Sequence, residues 1–415
     1  MTREVDTGVV EHKAGMTQAM TLLFTVAGAV AVGNLYWAQP LLTEIAADLN
    51  ISLGQSGTLV TLTQLGYALG VLLLVPLGDS LNRRRFIPAM MGLSSLALIG
   101  TALAPAYPAL LAGLAAVGLT SLSGQLLVPL AGDLARDDQR GRTIGTIASG
   151  LLIGIMLSRF VSGVVADVFG WRAIYLLAAV LNVMFSMLLL RKLPDDRPRP
   201  FLPYGQLLAS IAGGVRSSPP VQVTLVLGAC GFAVFTMFWT GLTFLLKSPA
   251  FSFSVTQIGM VNLIGLAGAF AAQRAGRMHD LGRSTLATGA ALILALVTVA
   301  TAAAGGASLI IVCVAILLIN LSIQTVNVLN QTRLLTIRPE LRSRLNTAFV
   351  VCNFVAGAAG SALAGVLWQA GGWVLLMAGQ AGFIVLALVV WSASRNLLLS
   401  VEAVQPLPMQ QEGAS

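Results

Sequence analysis

Charge is what this chain holds least of. Only 10% of its 415 residues are Asp, Glu, Lys or Arg, where soluble proteins carry about 25%. With 56% hydrophobic residues and a mean hydropathy of +0.86, the chain belongs in a lipid bilayer. Histidine is almost missing: His12 falls in the N-terminal tail and His279 in a connection. The three cysteines, Cys230, Cys313 and Cys352, all sit inside apolar runs at no metal-like spacing. They read as small buried side chains and exclude a disulfide framework. No His/Glu metal cluster, nucleophile–base pair or glycine-rich phosphate loop appears, so no enzyme, metal or cofactor is expected. No Asp or Glu lies in the middle of any apolar run, although intramembrane proton carriers are as a rule carboxylates or histidines.

What is present is a regular series of apolar runs. A membrane span needs about 20 such residues. Runs of that kind occupy 18–40, 55–77, 87–106, 109–132, 143–167 and 172–190, and again 222–246, 255–275, 284–304, 308–331, 345–367 and 373–394. Between the two sets lies RKLPDDRPRPFLPYGQ, 191–206, rich in proline and charge. The expected organisation is a tail (1–17), a six-helix bundle (18–190), a linker (191–221), a second six-helix bundle (222–394) and a C-terminal tail (395–415). Residues 1–17 contain Glu4, Asp6 and Glu11 and do not resemble a cleavable leader.

The net charge of +8 suggests nucleic acid only until the charges are placed. They lie in short connections, so no nucleic-acid partner is expected. Odd-numbered connections carry only Arg172 and Lys247, apart from Arg159 inside the fifth run. All other basic residues lie in the tails, the linker and the even connections, which puts both termini in the cytoplasm. The halves also repeat. Asp79 with Arg83 follows the second run and Asp280 with Arg283 the eighth, while Arg140 and Arg342 each open a run, both pairs about 200 residues apart. Duplication about an axis along the membrane normal accounts for both.

The stretch VPLGDSLNRRR, 75–85, resembles the loop motif G-x-x-x-D-R-x-G-R-R of the major facilitator superfamily, and more narrowly of its twelve-helix drug:proton antiporters. Asp79, Arg83 and Arg84 match, whereas Val75, Ser80 and Asn82 replace a glycine, an arginine and a glycine. GRMHDLGR, 276–283, is a second copy, one residue shorter after the aspartate. Gly141, Gly150 and Gly154 fall on the antiporter pattern of the fifth helix, but Ile155 stands where its proline would be and Ser158-Arg159 replace its paired glycines. The resemblance implies an all-α membrane protein of twelve transmembrane helices in two pseudo-symmetric six-helix bundles. It implies a monomeric secondary transporter of the bacterial inner membrane that exports small molecules, drug-like or metabolite, by proton antiport with alternating access. Solute uptake or facilitated diffusion is the other reading, favoured by the missing carboxylate. Asp79, Arg83, Asp133, Asp280 and Arg283 would form charge clusters at the cytoplasmic face, the first three docking on the start of the eleventh helix when the transporter faces outward.

Polar residues within the runs supply the candidate site. Asn320, Gln324, Asn327 and Gln331, at spacings of four, three and four, stack on one helical face. Such a face borders a cavity or bonds to a neighbouring helix, because amides facing lipid would go unsatisfied. In FAVFTMFWTGLTF, 232–244, Phe235 and Trp239 share a face with hydroxyls including Thr243, which suits a lipophilic substrate with one polar group; plain packing is the alternative. Asn34 and Gln39 near the end of the first run, and Asn353 in the eleventh, complete the candidates, while Tyr36 and Trp37 suit either a site or an interfacial belt. Arg159 costs about 2.5–3.5 kcal/mol at the centre of a span and needs a partner. Glu44, at comparable height on the first helix, is the expected one, with Asp167 second. Both carboxylates are also the candidates for proton coupling. Arg159 is a further candidate for the substrate cavity, where it would meet an anionic or polar group; a static arginine satisfied by backbone carbonyls and water is the alternative.

Overall fold

The computed structural model describes residues 15–194, 204–266, 274–275, 278–279 and 281–403. Asp280 and the side chain of Asp79 lie outside the described residues. Regular structure among the described residues is entirely helical. The first half comprises α1 (Gln18–Gly33), α2 (Leu53–Leu74), α3 (Arg83–Ala102), α4 (Tyr107–Leu134, interrupted at Ser121 and Leu122), α5 (Arg140–Phe169) and α6 (Trp171–Lys192). The second comprises α7 (Pro219–Lys247), α8 (Val255–Leu266), α9 (Ser284–Ala304), α10 (Leu309–Ile337) and a helical stretch Arg342–Ala403. Gly372, at φ +61°, turns that stretch at 371–372 into α11 (342–370) and α12 (373–403). Nine stretches among the described residues are long and apolar enough to cross a membrane, Arg342–Ser400 counting as one; α1 and α8 are shorter apolar helices.

Helix starts follow local chemistry. Thr17 caps α1 by accepting the Met20 amide. Ser52 with Gln55 forms a capping box at α2, and Ser254 with Gln257 forms another at α8. The two boxes open equivalent helices of the two halves, about 200 residues apart, and so repeat the duplication seen in the loops. Several helices run past the apolar residues: α10 continues to Ile337, beyond the expected 331, because Gln331 and Arg333 find partners inside the protein.

The first span is corrected more deeply. A continuous helix over 18–40 is the sequence expectation, yet α1 stops at Gly33. The chain then makes 3-10-type turns, a 3-10 helix at Gln39–Leu41 containing Pro40, and a short helix Leu42–Asp48. Pro40 cannot donate to an α-helical ladder. Asn34 Nδ2 instead reaches Ser94 Oγ (3.2 Å), Ser121 Oγ (3.3 Å) and Asn182 Oδ1 (3.4 Å), and Asn34 Oδ1 accepts Trp37 Nε1 at 3.0 Å. This buried polar knot braces the break, and hydroxyls take up freed backbone carbonyls: Ser162 Oγ donates to Trp37 O at 2.8 Å and Thr243 Oγ1 to Gln39 O at 2.9 Å.

Within the halves, α1 packs on α5 and α4, α2 on α4, α3 on α6, α7 on α11 and α9 on α10. Burial in lipid gives helices no hydrophobic drive to associate, so small residues and close backbone approach carry the contact. Gly154 shows it: a Cβ there would lie 2.7 Å from the Ala29 Cα of α1. Between the halves, α2 meets α11 and α5 meets α8.

Candidate functional site

The halves touch closely at the end of the bundle opposite the termini, here called the far end. Ser361 Oγ of α11 donates to Gly57 O of α2 at 2.8 Å, and Thr243 Oγ1 of α7 donates to Gln39 O at 2.9 Å. Lys247 Nζ pairs with Glu44 Oε1 at 2.9 Å. Asp167 at the end of α5 accepts the amides of Val255 (3.3 Å) and Thr256 (2.8 Å) at the start of α8, where a carboxylate suits the positive end of the helix dipole. Each of these contacts joins one half to the other, and together they close the far end. Beside this gate, Arg172 and Trp171 Nε1 donate to Asp48 and hold its carboxyl below the ordinary range.

Toward the middle lies a cavity of about 90 Å³. Its walls come from both halves: Tyr36, Ile155 and Met156 from the first, Phe232, Phe235, Asn320, Gln324 and Asn327 from the second. Three of the four stacked amides of α10 therefore border it, and the fourth, Gln331, donates to Asn346 Oδ1 of α11 at 3.0 Å. Asn353 Nδ2 reaches Asn327 Oδ1 at 3.4 Å. No carboxylate lines the cavity among the described residues. Asn34, proposed from sequence for such a site, belongs instead to the polar knot of the first half.

Arg159 lies between cavity and gate and is fully buried. The expected pairing with Glu44 or Asp167 does not occur. The break after Gly33 and the separate helix Leu42–Asp48 give Glu44 to Lys247, and α8 takes Asp167. Arg159 Nε donates to Gln39 Oε1 at 2.7 Å and Nη1 reaches Met156 Sδ at 3.3 Å. Its guanidinium carbon stands 4.4 Å from the Trp239 ring centre, 4.9 Å from Tyr36 and 5.5 Å from Phe235, so three aromatic faces solvate the charge. Tyr36 and Trp37, read as possible belt residues, are both buried here.

At the end carrying the termini, Arg83 Nη1 pairs with Asp133 Oδ2 at 2.9 Å and Arg83 Nε donates to Gly78 O at 3.0 Å. Arg283 is exposed at the start of α9. A second cavity, about 230 Å³, separates Pro76 and Ser80 after α2 from Arg344 and Thr347 of α11, with Ile211 of the linker helix Tyr204–Arg216 between them. Sequence reasoning missed one charged site. Arg333 of α10 is fully buried, donates to Asn330 Oδ1 at 3.1 Å and lies 3.6 Å from Glu402. Glu402 Oε1 accepts both the amide (2.7 Å) and the hydroxyl (2.8 Å) of Thr285. The apolar run ends before Arg333, so nothing in the sequence pattern separates it from the loop cations that follow.

Two helical halves that enclose a cavity and are latched across one end define a membrane carrier. The family model described as Major Facilitator Superfamily matches residues 24–360, and this chain belongs to that superfamily. It is 39% identical over 376 residues to the "Uncharacterized transporter YgaY" of Escherichia coli O157:H7, covering 91% of this chain and 95% of that one. It is 29% identical over 186 residues to "Multidrug resistance protein D" of Escherichia coli strain K12, covering 43% and 46% of the two chains. A solved bacterial homologue of the human lysosomal transporter Spinster, in an inward-facing and occupied conformation, has the same fold, with a TM-score of 0.75 at 15% identity over 92% of this chain and 97% of that one.

Proposed function

We propose that this protein exports small organic molecules across the bacterial inner membrane by alternating access, driven by proton antiport, with both termini in the cytoplasm. The observation that carries the reading is the pairing of a latched far end with a cavity walled by both halves. Rocking of the two bundles exchanges that latch for one at the terminal end, where space separates α2 from α11. The charge placement supports the orientation, and the drug:proton antiporter motif around Asp79, with the partial likeness to a multidrug resistance protein, supports export. Proton coupling is assigned to Glu44 and Asp167. Both carboxylates stand at the far-end gate, where an outward-open state would expose them to protons from that side.

Transport without protons, as uptake or facilitated diffusion, is the second reading, favoured because no carboxylate lines the cavity among the described residues. Reconstitution into sealed proteoliposomes loaded with candidate cargo, with and without an imposed pH gradient, separates the two. Proton antiport requires the gradient to drive net accumulation and cargo to dissipate it. Flux that only equilibrates cargo, unchanged by the gradient, establishes the second.

A further inference from the structure

The neighbourhood of Arg159 holds an unusual imbalance. Three buried donor nitrogens there, Gln39 Nε2, Arg159 Nη2 and Trp239 Nε1, have no acceptor in the protein. Gln39 is not free to turn its oxygen inward instead, because Oε1 already accepts Arg159 Nε at 2.7 Å. Buried polar groups in folded proteins are nearly always satisfied, so three orphan donors in one place call for acceptor atoms from elsewhere. The charge points the same way. The residue that bonds the guanidinium is an amide, not a carboxylate, and both nearby carboxylates are engaged at the gate, which leaves the positive charge unneutralised in a low-dielectric setting. The aromatic faces that would otherwise attract a cationic cargo are occupied by Arg159 itself. Tyr36 and Phe235, two of those rings, are also walls of the cavity.

We propose that Gln39, Arg159 and Trp239 form an acceptor-binding pole of the transport pathway that selects small organic anions, carboxylates or sulfonates on an apolar or aromatic body, over cations. The inference rests on reading the cavity as the transport pathway. The anionic head meets the guanidinium and the two N–H donors, a geometry that suits a planar carboxylate. The body lies against Phe232, Phe235 and Ile155, and the amides of α10 contact any further polar group. Because Thr243 latches Gln39 O across the gate, the same anion sits where opening of the far end exposes it for release.

The test uses three probes of one shape: 2-naphthoate, 2-naphthamide and 2-naphthylmethylammonium. Binding to the full chain in nanodiscs is measured calorimetrically, and efflux of each probe is followed in proteoliposomes. Naphthoate should bind at least tenfold more tightly than the amide, with the cation weakest. Gln39→Glu places a carboxylate beside the guanidinium without removing it and should collapse that preference to less than twofold; Arg159→Gln should do the same. Equal affinities, a preference for the cation, no binding by any probe, or an anion preference that survives Gln39→Glu would each overturn the inference. Efflux of the amide or the cation without anion preference overturns it while leaving the transport reading intact.

Discussion

The latch between α2 and α11 has a calculable weakness. Gly57 lies so close to α11 that an added Cβ would stand 2.8 Å from Ser361 O and 3.5 Å from the Gly365 Cα. Ordinary contact begins at 3.4 Å, so Gly57→Ala forces the helices apart by about 0.6 Å against backbone atoms that no rotamer can move aside. Overpacking of this kind costs about 1–3 kcal/mol. The contact joins the two halves, so the cost falls on the far-closed state and is relieved once that end opens. The ratio of far-open to far-closed molecules should then rise roughly 5- to 150-fold. Spin labels at Ala106 and Ala307, exposed far-end positions in opposite halves, report the change by double electron–electron resonance in nanodiscs. Gly57→Ala should add or enlarge a longer-distance population. Gly100→Ala, where a Cβ meets nothing within 4 Å, should not. An unchanged distance distribution in a stably folded Gly57→Ala protein would refute the latch.

Other perturbations separate structural from functional polar groups. Asn34→Ala strips partners from Ser94, Trp37 and Asn182 and should destabilise the first half by about 1–3 kcal/mol, read as a lower melting temperature in detergent. Glu402→Ala leaves Arg333 buried beside an emptied site and removes the acceptor of Thr285, so it should cost about 3–5 kcal/mol, and Arg333→Met in the same chain should recover part of that loss. The Asp48–Arg172 pair is half-exposed and contributes at most about 1 kcal/mol. Since Asp48 titrates lower when folded, that contribution is present above the ordinary carboxylate range and disappears as pH falls through the lowered value. Asp48→Asn should therefore reduce thermal stability slightly at pH 7, and the difference should narrow as pH falls below the ordinary carboxylate range, as followed by scanning fluorimetry.

The spans were legible because a bilayer demands about 20 apolar residues wherever a chain crosses it, and lone charges mark the ends. Polar detail inside the spans was legible only where it was local. The α10 amides share a face because their spacing is helical, and three of them do border the cavity. Asn34 was opaque: its partners Ser94, Ser121 and Asn182 come from three other helices, and the break they support interrupts an apolar run that looks continuous. That break also explains the misplaced partner of Arg159. Counting residues along one straight helix brings Glu44 to the right height, but the turn after Gly33 delivers Gln39 in its place. Arg333 was hidden for a different reason, since its partner Glu402 lies beyond the last apolar run.

Alternating access to one central cavity is most directly tested at Gln324, which lines it. Gln324→Cys in a chain with Cys230, Cys313 and Cys352 replaced is labelled with a membrane-impermeant maleimide in right-side-out and in everted vesicles. Labelling from both sides, with Gly57→Ala increasing it from the far side alone, is the outcome that alternating access requires. Labelling confined to one side under all conditions, in protein that still transports, would contradict it.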